Sequence, residues 1–217
     1  MNPPPELPAR LAENRLLSAA VITEVDHAVP LASALLAGGL DIMEVTFRHP
    51  HAAECIRRIR AEVPDMQVGA GTLLSTAQIN EARSAGATFG LSPGYNPTVV
   101  EAAASDAFPF IPGVATPGEI ERALERGCET VKVFPIHALG GVTFLDALLG
   151  PYHHTPLRIV PLGGINEQNL ASYISHPLVV AAGGSWLTDP KLATTGQWEQ
   201  ITAMARRART IAQASRS

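Results

Sequence analysis

Short runs of apolar and β-branched residues alternate with alanine-rich amphipathic stretches along nearly all of this 217-residue chain. That alternation restricts it to folds in which helices cover a parallel sheet. Strands are expected over Ser18–Glu24, Asp41–Phe47, Gln67–Thr72, Thr88–Ser92, Phe108–Gly113, Thr130–Pro135, Arg158–Gly163 and Val179–Gly183. Most end in a small residue, a Pro or a polar residue, and most of these ends recur at roughly 20 to 28 residues, the length of one strand-helix unit. Between them, helical stretches Ala28–Leu36, Thr76–Ala85 and Pro117–Arg126 are closed by Gly38-Gly39, Gly86 and Gly127. Eight such units predict a (β/α)8 TIM barrel in one domain, residues 17–217, behind an N-terminal extension of residues 1–16. A doubly wound open sheet alternates in the same way, but no GxGxxG turn follows the first strand here.

Composition narrows the function. A hydrophobic content of 46% excludes a disordered chain, and with aromatics at 5% the packing of helices on the sheet falls to Ala, Val, Ile, Leu and Gly. A net charge of −4 supplies no basic field for nucleic acid. Cys55 and Cys128 stand in no CxxC or other metal spacing, which points to thiols in a reducing, cytoplasmic compartment. The N-terminus lacks the pattern of a signal peptide, and no apolar stretch approaches the roughly 20 residues needed to cross a bilayer. Neither nucleic acid nor membrane is expected as a partner.

Of two lysines in the sequence, one, Lys132, lies inside Thr130-Val131-Lys132-Val133-Phe134-Pro135, a run that otherwise reads as a buried strand. Period-two alternation turns Val131 and Val133 toward the helices and Thr130, Lys132 and Phe134 into the barrel. Burial lowers the pKa of an amine, and a neutral amine attacks ketones. A lysine paired with a carboxylate fits the same position, and the pattern leaves both readings open. In the second strand, Met43, Val45 and Phe47 face the helices while Glu44, Thr46 and Arg48 project inward. Glu44 is placed to exchange protons and Arg48 to grip a carboxylate, unless the two simply pair. In the third strand Val68, Ala70 and Thr72 are assigned to one face, which brings Thr72 to the same mouth or leaves it as a helix cap.

Gly163-Gly164 and Gly183-Gly184-Ser185 follow the last two strands, where barrels of this kind commonly bind phosphate through backbone amides. Tight turns are the alternative. His49-Pro50-His51 and His153-His154 offer no third ligand at a recognisable spacing, so no metal and no cofactor are expected. His137 falls just past the sixth strand, either at the mouth or on the surface.

Together, Glu44-Val45-Thr46-Phe47-Arg48, Gly69-Ala70-Gly71-Thr72, Ser92-Pro93-Gly94, Val131-Lys132-Val133-Phe134-Pro135, Gly163-Gly164-Ile165 and Gly183-Gly184-Ser185-Trp186 resemble the 2-keto-3-deoxy-6-phosphogluconate (KDPG) aldolases, in order over roughly residues 17 to 190. The resemblance implies a homotrimeric class I aldolase of the Entner-Doudoroff pathway that yields pyruvate and glyceraldehyde 3-phosphate. It implies Lys132 as the Schiff-base lysine, Glu44 as acid/base, Arg48 and Thr72 on the pyruvate carboxylate, and Phe134 as a wall. It further implies that Pro93 and Leu162 fall within the same substrate site and that Gly163, Gly164, Gly184 and Ser185 would receive the phosphate. Leu162 stands where such members usually carry Thr, and Ile136-His137 replaces Ala-Glu. The galactonate C4 epimer or unphosphorylated 4-hydroxy-2-oxoglutarate is therefore an alternative substrate. A phosphate-binding barrel isomerase or synthase would share the fold and the late glycine pairs but would not need a lysine inside an apolar strand, whereas a non-catalytic binding barrel would tolerate all of these residues as ion pairs.

Overall fold

A computed structural model of the chain describes residues 7–214. Its strands are β1 (Leu16–Ala20), β2 (Ile42–Thr46), β3 (Gln67–Gly71), β4 (Gly90–Leu91), β5 in two pieces (Phe110–Ile111 and Gly113–Val114), β6 (Thr130–Val133), β7 (Arg158–Pro161) and β8 (Ala182–Gly184). The helices are α1 (Leu7–Asn14), α2 (Ala28–Ala37), α3 (Ala52–Glu62), α4 (Thr76–Ser84), α5 (Pro97–Ser105), α6 (Pro117–Glu125), α7 (Gly141–Leu149), α8 (Leu170–Ile174), α9 (Pro190–Thr194) and α10 (Trp198–Ala214). Each strand pair is parallel, and β1 joins both β2 and β8. Bridges Ile159↔Val179 and Leu162↔Gly183 tie β7 to the β8 segment and close the ring. The molecule is the (β/α)8 barrel that the alternation predicts. β5 breaks at Pro112, which has no N–H to donate; its carbonyl still accepts from Lys132 N at 2.9 Å, which keeps β5 and β6 in register.

Period-two alternation sorts the apolar side chains into two layers. Met43, Val45, Val68, Ala70, Val131 and Val133 pack outward against the helices. Leu17, Ile42, Phe89, Leu91, Val160 and Leu162 fill the barrel interior. Leu7 and Leu11 of α1 join that inner layer, so the helix plugs the base of the barrel. Arg10 pairs with Asp41, and Arg209 Nη1 donates to Asn14 Oδ1 at 2.8 Å. Residues 1–6 of the expected extension lie outside the described residues.

Helix ends follow local chemistry. Thr116 Oγ1 accepts from Glu119 N while Glu119 Oε2 accepts from Thr116 N, a capping box that starts α6. Gly86 and Gly127, with φ of 91° and 75°, follow α4 and α6 in the left-handed backbone that glycine adopts without strain. Strand boundaries differ more from expectation. The first strand is Leu16–Ala20, because Leu16 and Leu17 pair with Ala182 and Gly183 and the chain leaves the sheet after Ala20. The eighth begins at Ala182, since Val179 makes one bridge.

The barrel interior depends on volume exchanged between neighbouring strands. A Cβ built on Gly69 would lie 2.4 Å from the Phe89 ring, which is 0% exposed and occupies the space that glycine leaves. Removing that ring opens a cavity that the rigid ring of strands cannot close. Phe89→Ala is expected to destabilise the fold by about 3–5 kcal/mol, measured from the shift in urea midpoint at unchanged m-value.

Candidate active site

Glu44 and Lys132 meet inside the mouth of the barrel. They sit on β2 and β6, across the ring from one another, and are 1% and 6% exposed. Lys132 Nζ lies 3.6 Å from Glu44 Oε1 and 5.1 Å from the centroid of the Phe134 ring. The amine therefore has one carboxylate and one aromatic face beside it, in a cavity that Thr46, Arg48 and Thr72 also line. Glu44 Oε2 is buried and makes no hydrogen bond among the described residues, which leaves one carboxylate oxygen ready to take or give a proton.

Glycine makes room for this pair. A Cβ on Gly71 would fall 2.0 Å from Glu44 Oε2, so the carboxylate rests on bare backbone of β3. Lys132 is in register with Gly113 on one side and Val160 on the other. A Cβ on Gly113 would in turn sit 2.2 Å from the Pro93 carbonyl carbon, so the loop after β4 folds onto that glycine. Ser92 Oγ donates to Gly94 O at 2.7 Å and accepts from Gly113 N at 3.4 Å, which ties Pro93 into the wall.

The cavity over the pair measures about 400 Å³. Every residue that the sequence assigns to the site lines it: Glu44, Arg48, Thr72, Pro93, Lys132 and Phe134, with Leu162, Gly163, Gly164, Gly184 and Ser185 on the opposite rim. Arg48 is exposed on the turn after β2. Gly163 and Gly164 have φ of 95° and 83°; a side chain on the first would press on Phe134 and on the second on His137. A larger cavity of about 560 Å³ lies around α1 at the other end of the barrel and holds none of these residues.

Thr72 reaches the mouth by a route other than the one expected. Val68 and Ala70 pack outward, so strand alternation would carry Thr72 out with them. Its φ of 59° turns the backbone left-handed just past the end of β3 and brings it back to the cavity. The alternative role as a helix cap belongs to Ser75, whose side chain accepts from Gln78 N. His137 is exposed and outside the cavity; its amide donates to Gly163 O at 3.0 Å. Among the described residues no group of three or more His, Cys, Asp or Glu is placed to hold a metal ion. Sequence reasoning missed Ala19, Val21, Trp186 and Asp189, all of which line the cavity. The first two lie on an apolar run whose phase is not readable, and Asp189 precedes Pro190, where it reads as an ordinary helix cap.

The chain matches the KDPG and KHG aldolase family over residues 7–204. It is 47% identical over 190 residues to the 2-dehydro-3-deoxy-phosphogluconate aldolase of Treponema pallidum, covering 88% of this chain and 90% of that one. Among solved structures it resembles the KDPG aldolase of Legionella pneumophila, with pyruvate captured at low pH as a covalent carbinolamine, at a TM-score of 0.88 and 34% identity over 93% of this chain and 97% of that one. The 2-keto-3-deoxy-6-phosphogluconate aldolase of Zymomonas mobilis ZM4 with 3-phosphoglycerate gives a TM-score of 0.86 at 32% identity, over 95% and 96% of the two chains.

The contact between Gly71 and Glu44 yields a test of how the site is held. A methyl group at Gly71 cannot coexist with the Glu44 carboxylate where it stands. Gly71→Ala is expected to cost about 1–3 kcal/mol of stability as an overpacked site and to move Glu44 away from Lys132, seen as a longer carboxylate-to-amine distance in a crystal structure of the variant.

Proposed function

Since this chain belongs to the KDPG and KHG aldolase family, we propose that it is a class I aldolase cleaving 2-keto-3-deoxy-6-phosphogluconate to pyruvate and glyceraldehyde 3-phosphate. The observation that carries the reading is the Lys132 amine, enclosed at the barrel mouth 3.6 Å from the Glu44 carboxylate. The covalent pyruvate carbinolamine of the Legionella relative supports it, because such an adduct needs an amine nucleophile.

The reaction starts with neutral Lys132 attacking C2 of the keto acid, and Glu44 protonates the former carbonyl oxygen. Loss of water from the carbinolamine leaves an iminium. Its positive nitrogen draws the C3–C4 bonding pair toward C2 as Glu44 removes the C4 hydroxyl proton, and the aldehyde departs. The enamine left behind is protonated at C3, water adds to the iminium, and pyruvate is released with the lysine regenerated. Arg48 and Thr72 hold the carboxylate, Phe134 and Pro93 wall the reacting carbons, and the Gly163-Gly164 and Gly184-Ser185 backbones face the distal group.

Leu162 bears on which keto acid is preferred. It is 2% exposed, packs with the inner layer and bridges to Gly183, so it lends the cavity apolar bulk and no hydrogen bond. A C4 hydroxyl directed at it goes unpaired, which favours a second reading with weak discrimination between C4 epimers.

Two substitutions test the roles. Lys132→Ala and Lys132→Arg are expected to abolish cleavage and to prevent borohydride from fixing pyruvate on the protein, since arginine keeps the charge but has no nucleophilic amine. A variant that still turned over would remove the Schiff base from the mechanism. For Glu44→Gln, pyruvate should still be trapped, slowly, while turnover falls roughly 10²-fold through loss of proton transfer. Unchanged steady-state turnover would take Glu44 out of the chemistry.

A further inference from the structure

The end of the cavity facing the distal group of the substrate contains no basic side chain. Leu162, the loop after β7, β8 and the loop after it line the cavity with backbone glycines, apolar groups, the Ser185 hydroxyl and a single charged residue, the acid Asp189. The cavity's two cations, Lys132 and Arg48, come from β6 and from the turn after β2, and Lys132 faces Glu44 at 3.6 Å. A phosphate arriving at the glycine pairs would therefore have amide dipoles in front of it and a carboxylate nearby.

Asp189 is held in place. The 3-10 turn Ser185–Thr188 is pinned where Thr188 Oγ1 donates to Ala19 O at 2.7 Å and to Ser185 O at 3.2 Å. At about 2 Å of rise per residue, that turn leaves Asp189 within about 8 Å of Ser185. Its Oδ1 accepts from Lys191 N at 2.9 Å and caps α9, so the carboxylate is not free to swing away. A dianion bound beside Ser185 and seated about 8 Å from that carboxylate would be disfavoured by about fivefold even at the dielectric constant of water, and salt would weaken the effect.

We infer that Asp189 is a specificity-determining residue that penalises a doubly negative distal group, so that the cavity accepts 2-keto-3-deoxy acids ending in a plain hydroxyl as well as those ending in phosphate. The inference rests on the aldolase reading above. It assigns to one side chain the balance between phosphorylated and unphosphorylated substrates, and leaves carbon-carbon cleavage to Lys132 and Glu44.

The test compares 2-keto-3-deoxy-6-phosphogluconate with 2-keto-3-deoxygluconate, which differ by the phosphate alone, on the full-length wild type and Asp189→Asn at low ionic strength. Asparagine removes the charge but remains a good helix cap, so α9 keeps its start. The ratio of KM for the phosphorylated acid to KM for the unphosphorylated one is expected to fall about fivefold in the variant, with the difference shrinking in about 0.5 M salt. A change below about twofold at low salt, with borohydride still trapping pyruvate on both proteins, overturns the inference and leaves the aldolase reading standing. So does a wild type that cleaves the phosphorylated acid alone. Failure to trap pyruvate on the wild type overturns both.

Discussion

The structure turns on placing an amine and a carboxylate together, out of water, at the end of a packed barrel. Lys132 and Glu44 are each less than a tenth exposed, and the low-dielectric surroundings that make their encounter useful would make either one alone expensive to bury. Removing one member of such a pair typically costs about 3–5 kcal/mol because the other is left uncompensated. The pair therefore couples function to stability: the strands that carry it must hold their register, or both charges lose their partner. The parallel ladder supplies that constraint, with Lys132 locked between Gly113 and Val160 and Glu44 between Ala19 and Gly69.

Space for the pair comes from what neighbouring strands omit. Below it the interior is filled by Leu17, Ile42, Phe89 and Val160 and closed underneath by α1. At its level Gly71 yields to the Glu44 carboxylate, and Gly113 lets the Pro93 loop approach over the backbone. The barrel is thus solid at its base and open at its mouth through the choice of inward residues, and the transition occurs within a single strand: Gly69 admits a ring and Gly71, two residues on, admits a carboxylate. A methyl group at either position would have to displace its neighbour.

Much of this is legible in the sequence because alternation is a strong signal wherever both faces carry side chains. In β2 and β6, polar residues interrupt apolar ones at every second position, and Glu44, Lys132 and Arg48 are found where that pattern places them. The helix stops at Gly86 and Gly127 are equally readable, since each marks a backbone that other residues avoid. Phase is lost where one face is glycine. In β3 the inward positions are Gly69 and Gly71, so the pattern was carried by Val68 and Ala70 and assigned Thr72 to their face, whereas a left-handed turn at Thr72 decides its direction. Phase is lost again in the apolar run from Leu16 to Ile22, which has no polar residue at regular spacing; the edge of β1 and the cavity contacts of Ala19 and Val21 were hidden for that reason.

The two kinds of residue in the site sit on different kinds of backbone. Lys132 and Glu44 project from strands paired on both sides, so their separation is set by the sheet and tolerates little change. Pro93, Gly163-Gly164, Ser185 and Asp189 belong to connections or turns after strands, each fixed by its own local device: a serine strap for Pro93, a backbone contact with His137 for Gly163, a pinned 3-10 turn for Asp189. Loop segments can change sequence with less effect on the sheet than strand segments can. A change at Asp189 can therefore reach the distal end of the cavity while the amine and the carboxylate stay 3.6 Å apart. On the proposed aldolase reading, reaction type belongs to the ladder and the response to a distal charge to a turn that leaves it.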